Sequence, residues 1–528
     1  MTNAIFINFT SFTNFINFQR NKMSVIKNNI TAFISILFIL STCCFSACKD
    51  EVFSSDPNHR LSFSVDTLSF DTVFSTITSS TKRIMVRNKN NKALRISEMG
   101  LRDGGSSVFR INVDGQVRAD NRFQSIEISA KDSMYIFVSV NVEELNDDSP
   151  LLIEDYLFFQ TNGSTQQIVL ETFGQNVIIL KGKTFANDTT LTALKPYIIY
   201  DSLTIDFGNT LTLEPGCRLY FHNNADMYVY GTLNAEGTAE APILLRGDRF
   251  DNINFASPVP YNDVAGQWGG LYLVGNSTHQ MKHVNLNSGH VGIYLTAGTS
   301  SSVPDASEMP TLEVINCKIH NFLFYGLVAQ NANVAVVNTE ISNTGSYSVY
   351  LNGGNHTFIH TTIANYFNSG ASSAQAKSRD NSEPALMIMN MNRSAPMESV
   401  FLNCVVAGNI NNEFSLATRF PEQYKGTFRN TYIKRSALDY PQFQPEDTIR
   451  WYEKKDTIFK STVLDYDKKQ YYNFEPDSVS PLRRLANPDT TNFGKYASDL
   501  LLDLNGIDRA KSDKPAVGAY EWVSEFEK

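Results

Sequence analysis

Lys318 and Glu340 stand 22 residues apart, and in a chain that repeats at that interval they lie side by side as a base and an acid. Cleaving a polysaccharide needs more than this pair: grouped carboxylates, or a cationic base beside acids that hold calcium. No third residue joins Lys318 and Glu340 at a matching position. They read as an ion pair between neighbouring strands, and no catalytic residue is assigned. His283 and His360 share one position of the repeat but three intervals apart, ~14 Å at ~4.8 Å per strand, too far to share a metal ion. His279 and His283 would pair on a helix, but here they fall in a turn and at the start of a strand. Asp248, Asp251 and Asp263 form an acidic loop between Arg246 and Gln267 that could take calcium, without EF-hand spacing. No metal ligand is assigned, and calcium is the one cofactor left open.

A second group points to binding. Tyr272, Tyr294, Val328, Tyr350 and Met387 fall on one outward position of successive strands, an aromatic and apolar stripe of the kind soluble proteins seldom leave bare. Three readings compete: cover by the C-terminal segment or an insertion, a platform on which sugar rings stack, or a protein partner.

These residues must be positioned by the repeat itself. Met281-Lys-His-Val284-Asn-Leu286, Val314-Ile-Asn-Cys317-Lys-Ile319, Val336-Val-Asn-Thr339-Glu-Ile341, Phe358-Ile-His-Thr361-Thr-Ile363 and Phe401-Leu-Asn-Cys404-Val-Val406 align without a gap. Two steps are 22 residues, and insertions lengthen the first to 33 and the last to 43. Leu271, Ile293, Leu327, Val349 and Leu386 form one inward line, and Leu273, Leu295, Ala329, Leu351 and Ile388 another two residues on. So short a unit, rich in β-branched residues, suits one coil of a parallel β-helix. Asn316, Asn338 and Asn403 recur at one bend and Asn321, Asn343 and Asn365 at another, where Asn tolerates left-handed backbone. The insertions Thr296–Pro310 and Phe367–Pro384, rich in Ser and Ala, read as mobile surface loops. Cys317 and Cys404 share a column three rungs apart, ~14 Å, beyond the ~7 Å a disulfide spans, and are expected as free thiols.

Before the repeat, Leu68-Ser-Phe-Asp-Thr-Val-Phe, Lys82-Arg-Ile-Met-Val-Arg-Asn, Ser133-Met-Tyr-Ile-Phe-Val-Ser-Val and Gln167-Ile-Val-Leu-Glu-Thr alternate as the short strands of a β-sandwich. Their order, with Asp155-Tyr-Leu-Phe-Phe-Gln-Thr-Asn162, resembles the Hydin-type immunoglobulin-like domain. The coils, with Leu211-Thr-Leu-Glu-Pro-Gly216 and Trp268-Gly-Gly-Leu-Tyr-Leu, resemble the right-handed parallel β-helix superfamily, and Val517-Gly-Ala-Tyr-Glu521 its closing segment. The expected fold is all-β: an immunoglobulin-like sandwich over 60–175, a right-handed parallel β-helix with ~22-residue coils over 176–425, and C-terminal coils with a cap over 426–528.

The residues before 60 carry an address. Thr31 to Phe45 is an apolar run too short for a ~20-residue membrane span. With Phe45-Ser-Ala-Cys48 it looks like a lipoprotein signal over 1–47, starting at Met1 or Met23, with Cys48 acylated and 48–59 as a tether. Lys49-Asp50-Glu51 resembles the export signal of surface lipoproteins in the Bacteroides phylum, which implies a lipid-anchored protein on the outer face of the outer membrane. A net charge of −9 argues against nucleic acid. The expected function is non-catalytic binding or adhesion to a polysaccharide or glycan. The alternatives are a polysaccharide lyase or glycoside hydrolase, and a structural or assembly component with a protein partner.

Overall fold

A computed structural model describes residues 52–252, 259–298, 308–367, 379, 382–391, 396–436, 448–511 and 514–524. The first part is a pair of antiparallel sheets. One orders Ser62–Phe63, Lys82–Arg87, Ser133–Val140, Phe109–Val113 and Gln116–Val117; the other orders Thr67–Phe74, Ser164–Gln175, Leu151–Thr161, Leu94–Leu101 and Arg122–Ile128. Alternation decides which side chains go inside: Ser133–Val140 buries Ile136, Val138 and Val140 and leaves Tyr135 and Phe137 exposed. This is the immunoglobulin-like sandwich.

From Ile178 to Trp451 the strands pair in parallel, and each strand bonds its equivalent one coil later. A coil contributes three strands, for example Asn333–Val337, Glu340–Thr344 and Val349–Asn352. The chain is therefore a parallel β-helix after the sandwich. The 22-residue unit is visible in the register, where Lys318 pairs with Glu340 and Glu340 with Thr362. The columns Leu271/Ile293/Leu327/Val349/Leu386 and Leu273/Leu295/Ala329/Leu351/Ile388 are each in register and fully buried. Aromatic rings stack along the same interior, Phe358 on Phe401 at 4.7 Å and Phe401 on Phe428 at 4.9 Å. Offset ring stacks of this kind add to the area they bury.

The bend between two of the strands explains the asparagines. His283, Asn316, Asn338, His360, Asn403 and Asn430 all have φ between 46° and 55°, a conformation for which Asn and His are enriched among non-glycine residues. Their side chains form a ladder: Asn338 Nδ2 donates to Asn316 Oδ1 at 2.8 Å, and Asn403 Nδ2 lies 2.9 Å from His360 Nε2. At the second bend Asn321 and Asn343 are left-handed, whereas Asn365 serves through its amide, donating to the Ser346 carbonyl at 2.8 Å and accepting from Thr344 N at 3.1 Å. Cys217, Cys317 and Cys404 are buried free thiols, and burial pushes each up to about 12.

The C-terminal segment is more than an end cap. It runs along one flank of the helix, where Phe459, Phe474, Leu482, Val517 and Ala519 pack against the outward side chains Ala364, Val405, Ala407 and Tyr432. Phe493 and Leu500 cover Ile315, Val337 and Ile359 at the bend.

Candidate functional site

The flank strands Trp268–Val274, Gly289–Thr296, Tyr325–Gln330, Val349–Asn352 and Leu386–Asn390 carry the predicted stripe. Their register aligns Tyr272 with Tyr294, Tyr294 with Val328, Val328 with Tyr350, and Tyr350 with Met387. Because Leu271 and Leu273 point inward, the residue between them points out. The line begins one rung earlier than the sequence reading placed it: Tyr228 pairs with Tyr272, and their rings stack at 5.1 Å. Tyr272 and Tyr294 follow at 6.1 Å. Tyr230 and Phe207 extend the aromatic surface sideways, and Tyr347 and Tyr325 do so at the other end.

One member departs from a continuous exposed line. Val328 is 4% exposed, because its short side chain lies between the taller rings of Tyr294 and Tyr350, and the Tyr294 hydroxyl reaches past it to Gln330 Oε1 at 3.2 Å. The tyrosines themselves are half-buried. Tyr228 donates its hydroxyl to Asp226 Oδ2 at 2.9 Å, and burial with that carboxylate raises it to about 12. The apolar contacts of the C-terminal segment fall on the strands with Thr362 and Val405, a different face of each coil from the one carrying Tyr272.

The other residues with chemical potential separate. Lys318 Nζ lies 3.7 Å from Glu340 Oε2, the expected pairing between rungs, but Glu340 is 3% exposed because Tyr520 of the C-terminal segment closes over it. His279 lies inside the strand Thr278–Lys282, and its ring faces the core in the column of Leu312, Val334 and His356. It differs from the expected turn position because the strand begins one residue earlier. His283 occupies the bend and contacts Asn316. The acidic loop does not converge: Asp248 pairs with His222 at 2.6 Å, Asp251 with Arg249 at 2.6 Å, and Asp263 accepts from the Tyr466 hydroxyl. Among the described residues no three metal-ligating side chains come together. Cys48, Lys49, Asp50 and Glu51 lie outside the described residues, and among those described no helix is long and apolar enough to cross a membrane.

No family model matches this chain. A stretch of 137 residues is 29% identical to the protein bark beetle of Drosophila melanogaster, covering 24% of this chain and 4% of that protein. The chain thus spans a small fraction of the curated relative it matches. Solved structures similar to part of the chain include the ASH/PapD-like domain of human CEP192, at 10% identity and a TM-score of 0.16 over 24% of this chain and 92% of that one. The E. coli chaperone DraB matches at 9% identity and a TM-score of 0.16, over 22% of this chain and 55% of its own.

Proposed function

We propose that this protein is a lipid-anchored surface protein that holds a polysaccharide or glycan without cleaving it, on the face that carries Tyr228, Tyr272, Tyr294 and Tyr350. The observation that supports this reading is the ladder itself, three tyrosine rings on consecutive rungs with centroids 5.1 and 6.1 Å apart. Rings packed on one another at the spacing of the rungs form a continuous apolar ridge against which the apolar faces of successive sugars can lie. The column two residues on adds Thr296, Gln330 and Asn352, whose hydroxyl and amide groups can bond sugar hydroxyls and supply no acid and base.

A glycan array, followed by incubation with the polysaccharides that bind, tests the reading. We expect retention without release of fragments, and a loss of ~1–3 kcal/mol in the Tyr272→Ala/Tyr294→Ala variant, the scale of a base stacked on an aromatic side chain. Released oligosaccharides, or binding indifferent to the double variant, would refute it. The surface placement has its own check. Cys48→Ala is expected to move the protein from the membrane to the soluble fraction; continued membrane retention would remove the acylated cysteine from the proposal.

A further inference from the structure

A second site lies on a different face of the coil from the tyrosine stripe, under the C-terminal segment. There a cleft of about 300 Å³ opens between the strands Lys318–Phe322 and Glu340–Thr344 below and the residues around Tyr471 and Tyr520 above. Its floor holds a carboxylate and an ammonium side by side. Glu340 accepts from the Ser342 and Tyr520 hydroxyls and faces Lys318, whose side chain is 45% exposed. Burial would raise the Glu340 carboxyl, but the Lys318 ammonium and the two hydroxyls hold it below the usual carboxylate range. It is a buried anion kept charged.

His320 is the next group. Asn285 Oδ1 accepts from Asn287 Nδ2 at 3.1 Å and lies 3.2 Å from His320 Nε2. An oxygen that already accepts requires a donor, so Nε2 carries the proton and Nδ1 keeps a lone pair. Burial pushes the imidazole down to about 3, so it is neutral at neutral pH. Asp263 lines the same cleft, fixed by the Tyr466 hydroxyl, and Tyr471, 51% exposed, lines it as well. The remaining acid, Glu475, is paired with Lys460 at 2.6 Å.

We infer that this cleft binds one neutral pyranose ring, a free sugar or the end of a glycan chain, with its apolar face on Tyr471 and its hydroxyls between Lys318, His320, Glu340 and Asp263. Each sugar hydroxyl both donates and accepts, and the cleft alternates acceptors with a donor. Its volume sits at the lower end of small-molecule sites, ~300 Å³, room for one ring and not for a chain. Three carboxylates and one ammonium line the cleft, which disfavours a uronate or a phosphorylated sugar. The inference shares no residue with the tyrosine face and does not rest on it.

The test is a titration of the detergent-solubilised full chain with methyl glucopyranoside, methyl galactopyranoside, methyl mannopyranoside, N-acetylglucosamine and glucuronate, read by saturation-transfer NMR. At least one neutral sugar should saturate, at least tenfold more tightly than glucuronate. Glu340→Gln should weaken it tenfold or more, and so should Tyr471→Ala, which removes an exposed ring and keeps the fold. The inference is overturned if no neutral sugar saturates, if glucuronate binds best, or if Tyr471→Ala leaves the affinity unchanged. Array binding that survives Tyr471→Ala while the monosaccharide is lost separates the two sites. Monosaccharide binding with a blank array would sink the tyrosine reading alone.

Discussion

The imidazoles show how far burial governs single residues in this protein. His279, His356 and His360 are each at most 2% exposed. The Leu233 N–H donates to His279 Nδ1 at 3.1 Å, which fixes the proton on Nε2. Burial lowers His279 to about 4 and His356 to about 3, and it lowers His360 well below its ordinary value with help from nearby Arg509. All three are neutral in the fold. In the unfolded chain they bind a proton near pH ~6.5, so the unfolded state holds more protons between that value and ~4. Stability should therefore be full above pH ~6.5 and fall as the pH drops, by up to ~1.4 kcal/mol per unit for each histidine. Urea midpoints at pH 7, 6 and 5 measure this, and replacing His279 and His356 with Gln should flatten the slope. A wild-type curve already flat over that range would show that these rings are not buried neutral.

At the scale of elements, legibility followed the period. The inward columns and the stripe could be read because they return every 22 residues with a fixed alternation. Tyr228 escaped because a long insertion separates it from Tyr272, although Met227-Tyr228-Val229 repeats the apolar-Tyr-apolar pattern of Leu271-Tyr272-Leu273. The cleft escaped for a stronger reason. Lys318 and Glu340 stand one repeat apart, but Asp263, Tyr471 and Tyr520 come from loop and tail segments that no repeat relates, and only the path of the C-terminal segment brings them to that pair. The insertion between Phe367 and Pro384 read as a surface loop from its composition, yet it delivers Arg379 into the interior. There the guanidinium bonds both oxygens of Glu413, the Asn365 carbonyl at 2.7 Å and Asn409 Oδ1 at 2.7 Å. Glu413 in turn accepts from the N–H groups of Ala385 at 3.0 Å and Ile410 at 2.9 Å. Either charge alone would be buried and uncompensated, so the pair ties Arg379 to the coil. Composition reports average polarity and cannot show one such anchor.

Across the whole β-helix, the bend ladder that turns the chain also holds the C-terminal segment. Asn338 donates to the Leu502 carbonyl at 3.0 Å, and Asn403 exchanges bonds with Asn487. Gly518 donates to the Asn403 carbonyl at 2.8 Å with φ at +92°, where a Cβ would lie 2.5 Å from Thr362 Oγ1. At the centre, Arg509 bonds Glu521 at 2.7 Å and Asn338 Oδ1 at 2.6 Å, all but out of solvent. The segment thereby covers bend amides and apolar columns that a bare solenoid would leave open, and it roofs the cleft above Glu340. Arg509→Met should leave the Glu521 carboxylate buried without its counter-charge, with only the Ala516 N–H donating to it, and cost ~3–5 kcal/mol. Limited proteolysis should then cut first between 453 and 524 while the coils resist, and neutral-sugar binding in the cleft should disappear with the roof. Adding Glu521→Met removes the stranded charge and should restore much of the protection. If the Arg509→Met tail instead resists protease as the wild type does, the ladder and the apolar contacts hold the segment without the ion pair, and Arg509 is not the lock.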